Sequence, residues 1–190
     1  MKRILAGMIV FSHCEMQTVQ SISHLFEHTT RHQPDVVTVF SYRKRRSMKG
    51  AVIDLMREAI GGGYDYFFLL HDDIVYPPDT IVRLLAHDKD FVCGWAYSRH
   101  DLMLACAFGI SKQGNSIFVS ERDLTDGLIE SRMSGWGAML CKVSALERIP
   151  LEEVHDMPYV SMDRSFSELV TKYEFKIYTD LGLRLGHVVH

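Results

Sequence analysis

No stretch of this 190-residue chain reaches the roughly 18–20 consecutive apolar residues that a membrane-spanning helix requires, so no transmembrane segment is expected. A Cys-x-x-Cys pair is missing too. Cys14, Cys93, Cys106 and Cys141 are widely scattered, which argues against a zinc module and against a disulfide framework. Cys93, Cys106 and Cys141 lie inside apolar runs, where a free thiol behaves as a small hydrophobe. That usage points to a reducing compartment, and without a targeting signal the expected location is cytoplasmic. Excess positive charge is absent: 21 Lys and Arg stand against 24 Asp and Glu, a net charge of −3. Nothing in that balance draws the chain to nucleic acid or to an anionic membrane. There is no Gly-x-Gly-x-x-Gly, no Gly-Lys-Ser/Thr phosphate loop and no Gly-x-Ser-x-Gly elbow. These gaps weigh against a dehydrogenase, an ATPase and a serine hydrolase. The opening Met1-Lys2-Arg3 and the apolar Ile4–Phe11 resemble a signal peptide only superficially, because the run is short and no Ala-x-Ala site follows. A first sheet strand is the better reading.

What is present suits one α/β domain over residues 1–190, long enough for a substantial core. Strand-like residues 4–11 lead to a helical stripe at Val19, Ile22, Leu25 and Phe26, and then to a strand over Val36–Ser41. Residues 48–60 carry a second stripe, Ala51, Val52, Leu55, Met56, Ala59 and Ile60, which Gly61-Gly62-Gly63 terminates. An apolar strand follows, then a helix with Ile81, Leu84 and Leu85 inward, capped by Asp79 or Thr80. This β-α-β-α-β-α order predicts a doubly wound, parallel half. Beyond it, strands are expected at 91–97, 103–110, 116–119, 137–143 and 175–179, with a hairpin at Lys112-Gln113-Gly114-Asn115 and a helix over 163–173.

The most informative stretch is Tyr64 to Thr80. A run apolar on both faces, Tyr66-Phe67-Phe68-Leu69-Leu70, enters His71-Asp72-Asp73 and then a Pro77-Pro78 turn. Such a strand belongs in the middle of a covered sheet, and its carboxyl end is where open α/β sheets bind ligands. Two adjacent carboxylates there repel one another unless a cation or hydrogen-bond donors hold them. A divalent metal serving a diphosphate is the economical reading.

Leu69-Leu70-His71-Asp72-Asp73-Ile74, with Pro78–Leu85 after it, resembles the Asp-x-Asp region of GT-A-fold, family 2-like glycosyltransferases. Gly94–Arg99, Gly135-Trp136-Gly137-Ala138-Met139-Leu140, Asp163-Arg164-Ser165-Phe166, Phe175–Asp180 and Gly186-His187 resemble later pieces of that family in the same order, over residues 50 to 190. The resemblance implies a GT-A-like, Rossmann-like fold: a mixed, mainly parallel central sheet flanked by helices. It also implies a nucleotide-sugar-binding half at 1–98 and an acceptor-binding half at 99–190.

It further implies roles. Asp73 and His187 would hold Mn²⁺ or Mg²⁺ on the diphosphate of a UDP- or GDP-sugar. Asp163 would be the general base of an inverting reaction, or a positioning group in a retaining one, although Met162 stands where the family has a second acid. His71 takes a place usually held by an Asp that meets the donor ribose, and Asp72 could supply that contact instead. Arg99 and, by position alone, Ser12 with His13 and Glu15 fall on the donor side; Gly135, Trp136 and Gly137 fall on the acceptor side. His190 is a lesser rival to His187. The basic run Arg43-Lys44-Arg45-Arg46 with Lys49 could meet diphosphate, though a solvated loop is the default for such a run. The expected function is sugar transfer to an acceptor hydroxyl on a glycan, lipid or protein. Two alternatives stand beside it: a sugar nucleotidyltransferase, whose usual Gly-rich first loop is lacking, and a non-catalytic binder of nucleotide sugars or glycans.

Overall fold

The computed structural model describes residues 1–44, 47–97, 107–110, 116–118, 127–158 and 161–188. Arg45, Arg46, Arg99, Cys106, His190 and the 112–115 turn lie outside the described residues.

The chain begins with β1 (Lys2–Val10), α1 (Met16–His32), β2 (Val36–Lys44), α2 (Met48–Gly61) and β3 (Tyr66–His71). It continues through a two-residue β4 (Ile74–Val75), α3 (Thr80–Ala86), β5 (Phe91–Trp95), β6 (Ala107–Ile110), β7 (Ser116–Phe118) and β8 (Leu128–Ser134). The remainder is β9 (Met139–Lys142), a short α4 (Val143–Leu146), a 3₁₀ turn (Leu151–His155), α5 (Met162–Lys172), β10 (Ile177–Arg184) and a two-residue β11 (Gly186–His187). Among the described residues nine strands form one sheet in the order β2-β1-β3-β9-β5-β10-β8-β6-β7. Strands β2, β1 and β3 pair in parallel, as do β5 and β10, while β9 and β8 run against their neighbours.

Alternation along the central strands builds two cores. Phe67 and Leu69 of β3 join Leu5 and Ile9 of β1 under α2 and α5. Phe68 and Leu70 join Ile4, Ala6 and Met8 on the opposite face, under α1 and α3. Each fully buried Leu or Phe contributes about 1.5–3 kcal/mol, so a one-residue register slip would exchange both faces at prohibitive cost. Gly7 leaves room for the Phe67 ring of β3 and for Leu55 of α2: an added Cβ there would lie 2.8 Å from the first and 3.1 Å from the second. The Ser47 hydroxyl accepts the Gly50 N–H at the start of α2, and Gly63, at φ +64°, ends the helix as expected for the glycine run.

Several boundaries differ from expectation. β2 runs on to Lys44, so Arg43 and Lys44 are strand residues and not loop. β10 extends to Arg184, and β8 is a strand whose mixed polarity gives no strand pattern. Neither Asp79 nor Thr80 caps α3 with its side chain; the Thr80 hydroxyl donates instead to the Pro77 carbonyl, 2.7 Å away. Cys93 and Cys141 are buried and unbridged, and burial pushes the Cys93 thiol up to about 12. Among the described residues no helix is long and apolar enough to cross a membrane.

Candidate active site

Parallel strands put their carboxyl ends on one edge of the sheet. There β3 ends at His71, β5 is followed by Ala96 and Tyr97, and β10 leads into β11. β9 runs the other way, so the Gly135–Gly137 segment preceding it reaches the same edge. The first residues of α2 and α5 arrive there too. A cavity of about 200 Å³ lies among them, bordered by His71, Asp73, Gly135, Trp136, Gly137, Asp163 and His187. Its remaining wall is apolar: Met48, Val52, Leu69, Ile74, Ala96 and Met162.

Asp73 and His187, far apart in sequence, meet because β11 pairs antiparallel with β4, placing His187 opposite Ile74. The Val188 N–H donates to the Asp73 carbonyl at 2.9 Å and locks that register. His187 Nε2 stands 3.4 Å from Asp73 Oδ2, with both side chains largely buried. On the other side of the ring, Nδ1 is 2.9 Å from the Tyr97 carbonyl. A carbonyl only accepts, so Nδ1 carries the proton. In the neutral ring, Nε2 then presents a lone pair toward a carboxylate. Two acceptors facing each other fit a cation, and an imidazole oriented by a backbone carbonyl is the usual arrangement of a metal-ligating histidine. Among the described residues no three His, Cys, Asp or Glu side chains gather to hold a metal, and Asp73 with His187 is the pair that meets at this edge.

Asp72 is not among the described residues that border the cavity. Its Oδ2 accepts the Phe11 N–H at 2.5 Å, and its carbonyl accepts the Glu15 N–H at 3.1 Å, which ties the end of β3 to the loop after β1. His71 does border the cavity. Burial holds its imidazole below the usual value, against the opposing pull of Asp163, Asp72 and the Trp136 carbonyl, so the ring is neutral near pH 7. Its Nε2 is buried with no hydrogen-bond partner among the described residues.

Asp163 sits in the first turn of α5, where a carboxylate is favoured by the helix dipole. The Ser161 hydroxyl donates to its Oδ1 at 2.6 Å and accepts the Arg164 N–H at 3.4 Å. Capping and placement at the cavity are therefore compatible, since Ser161 serves as the cap. Trp136 borders the cavity as a buried wall, not as an open platform. It is 3 % exposed and meets the Phe166 ring edge-on with centroids 4.3 Å apart.

Other residues named from the sequence are placed elsewhere. Ser12 is exposed, hydrogen-bonded to the His13 ring at 2.8 Å, and does not border the cavity. Arg43 pairs with Glu58 at 2.6 Å, and Lys49 donates to the Val154 carbonyl at 3.1 Å. Both are fastenings of the fold. Arg99 lies outside the described residues. Two contributors had no signal in the sequence: the Tyr97 carbonyl that orients His187, and Tyr76. The Tyr76 hydroxyl accepts the His71 N–H at 2.7 Å and donates to the Gly137 carbonyl at 3.0 Å.

No family model matches the chain, and no curated protein matches it. Solved structures do. A197 from STIV superposes with a TM-score of 0.67 at 17 % identity, covering 99 % of this chain and 86 % of that one. GalNAc-T7, solved with UDP, GalNAc and Mn²⁺, superposes with a TM-score of 0.64 at 10 % identity, covering 99 % of this chain. The match spans 43 % of the GalNAc-T7 chain. At these identities the likeness is one of fold, and the fold is GT-A-like: a mixed α/β sheet flanked by helices.

Proposed function

We propose that this chain is a metal-dependent glycosyltransferase that moves a sugar from a nucleotide-diphosphate sugar, of the UDP or GDP type, to an acceptor hydroxyl. The observation that carries the reading is the meeting of Asp73, His187 and Asp163 in one cavity at the carboxyl edge of a GT-A-like sheet. The structure solved with UDP and Mn²⁺ among the fold's neighbours agrees with that choice of donor and metal.

Asp73 and His187 are the groups that would hold Mn²⁺ or Mg²⁺, which when bound supplies positive charge against the departing nucleotide diphosphate. Asp163 is the general base. It takes the proton from the acceptor hydroxyl as the new bond to the anomeric carbon forms, while the old carbon–oxygen bond breaks and its electron pair leaves on the diphosphate. Neutral His71 offers a hydrogen bond without a second negative charge beside the donor. The apolar wall of Met48, Val52 and Met162 excludes water that would otherwise compete as acceptor.

The test is a thermal-shift screen of UDP, GDP, CDP and dTDP, each with and without Mn²⁺, on wild type and Asp73→Asn. A ligand at a hundred times its dissociation constant adds about 2.7 kcal/mol of stability. One nucleotide should stabilise wild type only with metal, and the variant not at all. Stabilisation without metal, equal in both proteins, would sink the metal assignment. A metal-dependent shift with no donor hydrolysis or transfer would favour a binding-only protein.

A further inference from the structure

A second hollow opens beside the cavity, a groove of about 500 Å³ bordered by Tyr97, Arg184, Leu185, Gly186 and His187. The two hollows share His187. Arg184 is exposed at the end of β10, two residues before β11. Its guanidinium carbon lies 4.5 Å from the Tyr97 ring centroid and 6.0 Å from that of Trp95. Trp95 is itself fixed, its indole N–H donating to the Leu181 carbonyl at 2.7 Å, and its ring meets Tyr97 edge-on at 5.1 Å.

Arg43, Arg57 and Arg83 each engage a carboxylate. Arg184 does not among the described residues, where its contacts are with aromatic rings. A guanidinium over a phenol ring and paired with no carboxylate keeps N–H donors for a ligand, and its planar fork can bind carboxylate or phosphate with two parallel hydrogen bonds. Tyr97 therefore serves both hollows: its ring carries Arg184 and its carbonyl orients His187.

We propose that Arg184, braced on Tyr97 beside His187, forms an oxyanion subsite that takes a phosphate or carboxylate group. The proposal rests on the donor-site reading above for what lies across His187. The anion has two sources of the same chemistry: the diphosphate of the donor, or an acid group on the acceptor. Asp73, on the other side of His187, repels an anion, so the first source needs metal and the second does not.

The experiment measures thermal shifts of wild type, Arg184→Gln and Arg184→Lys with Mn²⁺ plus inorganic pyrophosphate, and with glucuronate against glucose in the absence of metal. Arg184 is exposed, so the unliganded variants should melt with wild type. Losing a charge-assisted pair should weaken the anion roughly ten- to a hundredfold in Arg184→Gln, and Lys should restore part of it without the two-pronged geometry. A loss confined to Mn²⁺–pyrophosphate assigns the subsite to the donor. A loss confined to glucuronate, with glucose inert, assigns it to the acceptor. Wild-type behaviour of Arg184→Gln with both probes, or no stabilisation of wild type by either, overturns the subsite. In that event a metal-dependent nucleotide shift that still disappears in Asp73→Asn leaves the donor-site reading standing.

Discussion

The Tyr76 hydroxyl joins the end of β3, two residues before Asp73, to the Gly135–Gly137 segment, accepting from the His71 N–H and donating to the Gly137 carbonyl. At 2 % exposure it has no water to replace either partner. Tyr76→Phe should cost about 1–3 kcal/mol of stability, read from the urea midpoint, because it orphans a buried donor and a buried acceptor while leaving the ring in place. Asp163 makes a different kind of contribution. It borders the cavity, and among the described residues its side-chain hydrogen bond comes from Ser161, two residues earlier. Asp163→Asn keeps the shape and an acceptor oxygen for Ser161 yet removes the basic carboxylate. Turnover should fall roughly 10²–10⁴-fold with the metal-dependent nucleotide shift unchanged. Steady-state kinetics beside the thermal-shift screen check both halves; an active Asp163→Asn would remove the residue from the chemistry.

Among the elements, β10 decides whether the site assembles, because it ends in the segment that delivers His187. Its register against β5 shifts between Thr179 and Arg184. The side chain of Asp180 anchors that irregular stretch. It is almost wholly buried, accepts from Arg83 Nη2 at 3.0 Å and from the Gly182 N–H at 2.9 Å, and lies 2.9 Å from His87 Nε2. The carboxylate thus ties α3 to β10. Arg83 is partly exposed, so the penalty for leaving it alone falls at the lower end for a buried pair. Asp180→Ala should destabilise the chain by about 3 kcal/mol in urea unfolding. A loss below about 0.5 kcal/mol would mean that the cluster is no anchor.

At the scale of the molecule, two cores clasp a nine-stranded sheet, and neither depends on the candidate metal pair. Two protein ligands at one edge add little to folding, unlike small domains whose closed four-ligand sites supply the folding energy. Chelation by EDTA should therefore leave a cooperative thermal transition within about a degree of the untreated protein. Mn²⁺ alone should shift it far less than Mn²⁺ with nucleoside diphosphate. An EDTA-induced collapse would show that the metal is structural.

Much of this molecule was determined within short windows of chain. The apolar runs of β1, β3 and β5, the stripes of α1, α2 and α5, and the glycine stop after α2 follow from local periodicity and backbone freedom. Asp73, His71, Gly135–Gly137, Asp163 and His187 could be nominated through a resemblance carried by short motifs, and they border one cavity. Their approach was not determined there. Nothing local predicts that Ile74 pairs with His187, that β9 inserts between β3 and β5, or that Leu128-Ile129-Glu130-Ser131-Arg132-Met133-Ser134 forms a strand despite its mixed polarity. The same holds for Asp72, nominated for a donor contact beside Asp73, whose Oδ2 accepts the Phe11 N–H from the end of a distant strand. Local preference acts over a few residues, whereas sheet order and the partner of each buried polar group are set by which distant segments can bury their faces together. The pairing of Asp73 with His187, and the seat of Arg184 on Tyr97, exist only once that packing is complete.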